Sequence, residues 1–313
     1  MAKVDDSPLF SVIVPTFNRA EHITCCLDSI VGQGRSDIEV VVVDNASSDH
    51  TAEVASSFSD KLTLRVLVND SNRERSYSRN RGAQVAQGRY LVFLDSDDRL
   101  TPGALDRAAR FVKDNPDRRF FFQLLRIVDA GDSTVYRPFF RQRKGMRWIL
   151  AEGNPLSCSG VYVERSLFLR HRFCEHPDLV GSEDWHCWIR IAAEHEPVLC
   201  PGEGALLLDH GSRTVAMDPW KTAEDRLSLL TTDLLQEKAT ADYLAPSIGL
   251  FRGSQAHFVA VKAASQFAVR PSLALFARSL RHHPPLVASR RTAHLLRLWL
   301  RALRTPSSGS PDV

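Results

Sequence analysis

The sequence has no Cys-x-x-Cys pair, and its six cysteines (Cys25, Cys26, Cys158, Cys174, Cys187 and Cys200) are scattered without zinc-like spacing. That leaves no zinc module and no disulfide framework, so reduced thiols in a cytoplasmic setting are expected. No run of about 18 uncharged apolar residues occurs, which excludes a membrane-spanning helix. Residues 1–7 are polar and lack the apolar centre of a signal peptide. No Gly-x-Gly-x-x-Gly follows the first strand-like run and no Gly-x-x-x-x-Gly-Lys-[Ser/Thr] is present, which argues against a dinucleotide enzyme and a P-loop. Acidic residues are missing between Asp242 and Asp312, while ten arginines and lysines from Arg252 to Arg304 fill that interval. The net charge of +3 hides this asymmetry and calls for no nucleic-acid partner.

What is present is ordinary for a soluble globular protein: 313 residues, 43% hydrophobic and 25% charged, enough for one large domain or one domain with appendages. Over residues 9–129 short β-branched runs alternate with helical stretches. Strands are expected at 10–14, 38–43, 62–68, 90–94 and 120–128. Helices are expected at 20–32, 49–58, 76–87 and 102–115, the last with Pro102 in its first turn. Such alternation predicts an α/β fold, a mostly parallel sheet flanked by helices. Beyond residue 130 the pattern loosens. A basic stretch at 139–144, a helix at 182–194 capped by Ser182, short strands at 198–199 and 205–208, and mostly helix over 220–304 are expected.

Ligands of such sheets sit at the carboxyl ends of the strands. Three strand ends here are polar: Pro15-Thr16-Phe17-Asn18, Asp44-Asn45-Ala46-Ser47-Ser48-Asp49 and Asp95-Ser96-Asp97-Asp98. The last places three carboxylates within four positions directly after an apolar strand. That is a poor way to build a core and a good way to hold a hard divalent cation beside a phosphorylated ligand. The plainer reading of the same residues is a solvated turn leading to a helix cap.

In this order, these motifs resemble the family 2 inverting nucleotide-sugar glycosyltransferases of GT-A fold, with matching positions over roughly residues 9–215. Ser11-Val-Ile-Val-Pro15-Thr16-Phe17-Asn18-Arg19 is similar to that family's first strand and nucleotide loop, with Phe17 where tyrosine is usual. Arg79-Asn80-Arg81-Gly82 and Ala86-Gln87-Gly88 resemble the helix leading into the metal strand. Asp95-Ser96-Asp97 falls on the Asp-x-Asp motif, and Glu183-Asp184-Trp185 resembles the Glu-Asp motif. The resemblance implies that Pro15, Thr16, Asn18, Asp44, Arg79 and Asp95 bind the nucleotide, with Asp44 reading the base. It implies that Asp97 binds Mn²⁺ or Mg²⁺ and that Asp184, beside Glu183, is the catalytic base. An ordinary carboxylate pKa near ~4 suffices for that base, since the acceptor proton becomes acidic only in the transition state.

Several assignments stand open between two readings. Asp98 is a third metal ligand or a helix cap; His210 is a metal ligand or a surface histidine. Trp188 reads as core before it reads as a sugar platform. Asn154-Pro155-Leu156-Ser157-Cys158-Ser159-Gly160 resembles the segment beneath the donor sugar, and Cys158 needs no chemical role there.

The expected organisation is a catalytic domain at 1–215 and a basic, mainly helical extension at 216–313 whose last residues are disordered. Within 287–304, Arg290, Arg297, Arg301 and Arg304 cluster within about 60° on a helical wheel, with Leu295, Trp299 and Leu303 opposite. This amphipathic helix lies on an anionic membrane surface or packs on the catalytic domain. The expected activity is metal-dependent transfer of a hexosyl or N-acetylhexosaminyl group from a UDP-linked donor to a saccharide or lipid-linked acceptor, as in cell-surface polysaccharide or glycoconjugate synthesis. Its rivals are a catalytically silent nucleotide-sugar scaffold of the same fold and a sugar-phosphate nucleotidyltransferase, whose Gly-rich loop is missing here.

Overall fold

The structure is a computed structural model describing residues 7–137, 145–209 and 218–304. Two compact units are present: one comprises Met1–Met146 and Pro155–Arg213, the other Arg147–Asn154 and Thr214–Val313.

The first unit opens with β1 (Phe10–Thr16), α1 (Ile23–Val31), β2 (Ile38–Asp44), α2 (Thr51–Ser56), β3 (Leu64–Val68), α3 (Arg75–Val85) and β4 (Tyr90–Phe93). Every residue of β1, β2 and β4 is buried, as expected for runs of valine, isoleucine and phenylalanine covered on both faces. The first unit continues through β5 (Arg99–Leu100), α4 (Ala104–Asp114), β6 (Phe120–Val128) and β7 (Thr134–Tyr136), and resumes after α5 (Met146–Glu152), which from Arg147 onward belongs to the second unit. It ends with β8 (Val161–Glu164), α6 (Arg165–Arg170), α7 (Glu183–Glu194) and β9 (Val198–Leu208). Among the described residues these strands form one nine-stranded mixed sheet, ordered β3-β2-β1-β4-β8-β6-β9-β5 with β7 paired to β6. The β3-β2-β1-β4 half is parallel. Strand β8 runs antiparallel to both β4 and β6.

Two expectations change. The helix after the carboxylate loop starts at Ala104, because Gly103 takes φ 69° and cannot continue a right-handed helix back to Pro102. The two short strands at 198–199 and 205–208 are one strand, β9. Its pairing with β6 shifts register between Phe122 and Leu125, a bulge that absorbs Pro201 and Gly202.

Two glycines fix how α3 meets the sheet. A Cβ on Gly82 would lie 2.6 Å from the Ile13 side chain, so α3 sits close on β1. A Cβ on Gly88 would lie 2.7 Å from the Ser11 backbone nitrogen. Gly88 instead donates its N–H to Ser11 Oγ at 2.8 Å, and Ser11 donates to the buried Glu39 carboxylate at 2.5 Å. The turn into β4 is thereby tied to β1 and β2.

The second unit contains α8 (Trp220–Gln236), α9 (Lys238–Leu244), α10 (Ile248–Ser265), α11 (Val269–His282) and α12 (Arg290–Arg304). Among the described residues no helix is long and apolar enough to cross a membrane.

Candidate active site

From β1 the chain winds outward to β2 and β3, then returns to the other side of β1 as β4. The carboxyl ends of β1 and β4 therefore flank a topological switch point, where a parallel sheet leaves an open crevice. Pro15 and Thr16 end β1 opposite Val43 and Asp44 of β2. Thr16 is 4% exposed and its Oγ1 has no hydrogen-bond partner. Asn18 adopts φ 49°, a left-handed conformation that asparagine tolerates. Its Oδ1 accepts from the Ser48 N–H at 2.9 Å, and its own N–H donates to Ser47 Oγ at 2.9 Å. These bonds stitch the two strand-end loops together. Asp44 is buried, and its Oδ1 accepts the Ser47 N–H at 3.1 Å and the Ser47 hydroxyl. That turn occupies one carboxylate oxygen, and a carboxylate offers about four acceptor sites.

Across the crevice, the Asp95 carboxylate accepts from Arg79 at 2.6 Å. The other arm of the same guanidinium reaches Glu183 Oε1 at 3.1 Å, and Arg79 itself is 1% exposed. Burial opposes its charge, but the Asp95 and Glu183 anions hold its pKa well above the ordinary arginine value. Arg79 thus bridges the carboxylate loop to α7 instead of lying open to a ligand. Glu183 Oε2 accepts the Gly181 N–H at 2.5 Å, and Arg75 Nε stands 3.6 Å from Oε1. Asp97 has its side chain 19% exposed, with Arg19 at 3.9 Å.

Asp98 turns inward. It accepts the Ser159 hydroxyl at 2.7 Å and the Leu208 N–H at 3.3 Å. This corrects the helix-cap reading, since α4 begins at Ala104 behind a Gly103 cap position. Ser159 also takes the Asp95 N–H at 3.4 Å, so the segment 154–160 does meet the carboxylate loop.

Glu183 and Asp184 open α7. Ser182 stands at the cap position, but its hydroxyl makes no capping bond. Trp188 is fully buried among Phe93, Phe120 and Phe173, with ring centroids 5.5–6.5 Å away, and belongs to the core. Asp184 Oδ1 accepts the Trp185 N–H at 2.7 Å. Burial, then the neighbouring Glu183 charge, pushes the Asp184 carboxyl up to about 7. The ordinary value expected from sequence does not apply. Cys158 is buried and its thiol is pushed well above the usual range, which leaves it a neutral thiol.

Among the described residues no group of three or more His, Cys, Asp or Glu side chains stands arranged to hold a metal ion. His210 and the basic stretch at 139–144 lie outside the described residues. Asp97 and Asp95 supply hard oxygen donors at the mouth of the crevice. That set fits Mg²⁺ or Mn²⁺, which take one or two carboxylates and complete their shell with phosphate oxygens and water.

Residues 11–171 match glycosyl transferase family 2. The chain belongs to this family. An uncharacterized glycosyltransferase of Haemophilus influenzae is 29% identical over 164 residues, 52% of this chain and 55% of that protein. The chain thus spans about half the length of this curated relative. Staphylococcus aureus TarS 1–349, solved in complex with UDP-GlcNAc, superposes with a TM-score of 0.65 at 20% identity, covering 94% of this chain and 88% of that one. The mannosyltransferase PcManGT of Pyrobaculum calidifontis, solved with GDP-Man and Mn²⁺, gives a TM-score of 0.55 at 20% identity, covering 95% and 88%. These likenesses establish the GT-A fold of a family 2 glycosyltransferase.

The family 2 match includes Asp44, Arg79, Asp95 and Asp97 but ends before Glu183 and Asp184. The Arg79 bridge brings that pair to the crevice. Sequence reasoning gave no role to Arg19 or Ser159. A cation closing the first strand-end loop was the available signal for Arg19; Ser159 was read only as part of the 154–160 segment, and its partner Asp98 is 61 positions away.

Proposed function

We propose that this family 2 protein transfers a hexosyl or N-acetylhexosaminyl group from a nucleoside-diphosphate donor, UDP-linked, to a hydroxyl of a saccharide or lipid-linked acceptor, with inversion. The observation that carries this reading is the constellation at the switch point. Asp44, Asp95 and Asp97 all stand at or just after strand ends at this point, and Arg79 joins Asp95 to Glu183, the neighbour of Asp184.

The nucleotide enters between the ends of β1 and β4. Asp44 accepts the N–H of the base with the lone pairs its turn leaves over, and Thr16, with its unpartnered hydroxyl, frames the ring. Pro15 and Asn18 shape the loop, and Asp95, oriented by Arg79, accepts from the ribose. Asp97, with Asp95 beside it, would hold a divalent cation, which when bound neutralises the charge growing on the departing diphosphate. PcManGT, of the same fold, was solved in complex with GDP-Man and Mn²⁺, which supports this choice. Asp184 removes the acceptor hydroxyl proton as that oxygen bonds to the anomeric carbon. The bond from that carbon to the diphosphate oxygen breaks on the opposite face, its electron pair leaving with the nucleotide. A single displacement of this kind inverts the centre.

A thermal-shift panel of UDP- and GDP-sugars, with and without Mn²⁺, tests the donor assignment. UDP-sugars should give the larger, metal-dependent rise, and Asp97→Ala should abolish the metal-dependent part. Asp184→Asn should retain that stabilisation while kcat falls by about 10²–10⁴. Near-normal turnover in Asp184→Asn would remove the base assignment. Intact binding without turnover in the unaltered protein would favour a silent scaffold.

A further inference from the structure

Helix α12 uses only half of its circumference to stay in the second unit. Leu295 is fully buried, Thr292 is 4% exposed, and Trp299 donates its ring N–H to Ser272 Oγ at 2.9 Å. The Trp299 ring also meets Phe276 edge-on at 5.6 Å. The apolar face that the sequence offers to a membrane is therefore spent on packing within this unit. A second apolar strip lies beside it. Leu296 is 49% exposed and Leu300 is 55% exposed, about 40° apart on the wheel. Val287, just before the helix, is 57% exposed. Next around the helix come the exposed Arg290, Arg297 and Arg301, within about 40° of one another. The sequence from Asp242 to Asp312 contains no intervening carboxylate, so the helix itself carries no acidic side chain. Half-exposed leucines edged by like-charged arginines suit a boundary that is apolar below and anionic above.

We propose that the outward half of α12 docks on an anionic lipid bilayer, with Leu296 and Leu300 at the acyl boundary and Arg290 and Arg297 on the lipid phosphates.

The test is co-sedimentation of the full chain with phosphatidylcholine vesicles, with and without about one-third phosphatidylglycerol. Binding should require the anionic lipid and weaken steeply between about 0.05 and 0.5 M salt. R290E/R297E should weaken it about tenfold or more, and L296S/L300S about threefold or more. Both pairs are exposed, so the melting temperature and the Mn²⁺–UDP stabilisation should not change; these controls separate failure here from failure of the donor reading. Equal binding to both vesicles, no binding, or wild-type binding by both variants would overturn the proposal. Weakening in the arginine variant alone would also overturn it, by reducing the surface to a general polyanion site.

Discussion

Asp184 sits in the first turn of α7, where the helix dipole favours a carboxylate, yet burial and Glu183 outweigh that help and push it up to about 7. Two consequences follow, with opposite preferences for pH. In its proposed role as base it must be ionised, so kcat/KM should climb about tenfold per pH unit below 7 and level off above. A pH–rate profile checks this, and Asp184→Asn should flatten it. As a structural group its folded pKa lies above the unfolded value near ~3.9. The native state therefore binds the extra proton between about pH 4 and 7, and stability falls as pH rises through that window. Asp184→Asn should be more stable than the parent at pH 8, by about 1–3 kcal/mol, and equal it below pH 4. In the proposed role, the site trades stability for a base that works near neutrality. From sequence, Glu183-Asp184 was legible as a pair, but the shift was not, because it depends on burial among residues far apart in the chain. Arg79 shows the same limit: its partner Glu183 is 104 positions away.

Strands β1, β2, β4 and β6 were readable within one or two residues because β-branched or aromatic runs, broken only by single polar residues such as Ser11, Glu39 and Gln123, have few alternatives in an α/β protein. Elements defined by an interruption were not. Pro201-Gly202 reads as a break between two strands, whereas pairing with β6 carries β9 through it. Helix α3 owes its position to the absence of a side chain, which a glycine in a helical stretch does not announce. Gly82→Ala would place a methyl 2.6 Å from Ile13 and 3.2 Å from Val43, lifting α3 and the Arg79 side chain one turn before it. The expected cost is about 1–3 kcal/mol. Chemical denaturation should register that loss, and turnover should fall further than donor affinity, because Arg79 joins Asp95 to Glu183. Gly88→Ala meets backbone as well as side chain, with less room to adjust, and should be the more damaging change.

At the scale of the whole molecule, charge and chemistry are kept apart. Every described residue proposed for the donor site belongs to the first unit, and the carboxylate-free interval belongs to the second. A ligand stabilises the part it contacts. Mn²⁺ with a UDP-sugar should raise the calorimetric transition of the first unit, and any separate transition of the second should stay where it is; an equal rise in both would show that the two unfold as one. The general fold was legible at this scale because alternation of strand and helix is a long-range pattern written locally. The packing of 147–154 with the C-terminal helices was not, because nothing in those eight residues names its neighbours. Leu208 closes the last strand of the first unit, and its N–H reaches Asp98 across 110 residues. Sequence beyond that point can be exchanged for a relative's only if the splice keeps this strand in phase. Slipping it by one residue turns the amide away, takes one hydrogen bond from the buried Asp98 carboxylate and loosens the loop that carries Asp97. A chimera built to change acceptor choice would then lose its donor site instead, a failure easily mistaken for an incompatible acceptor.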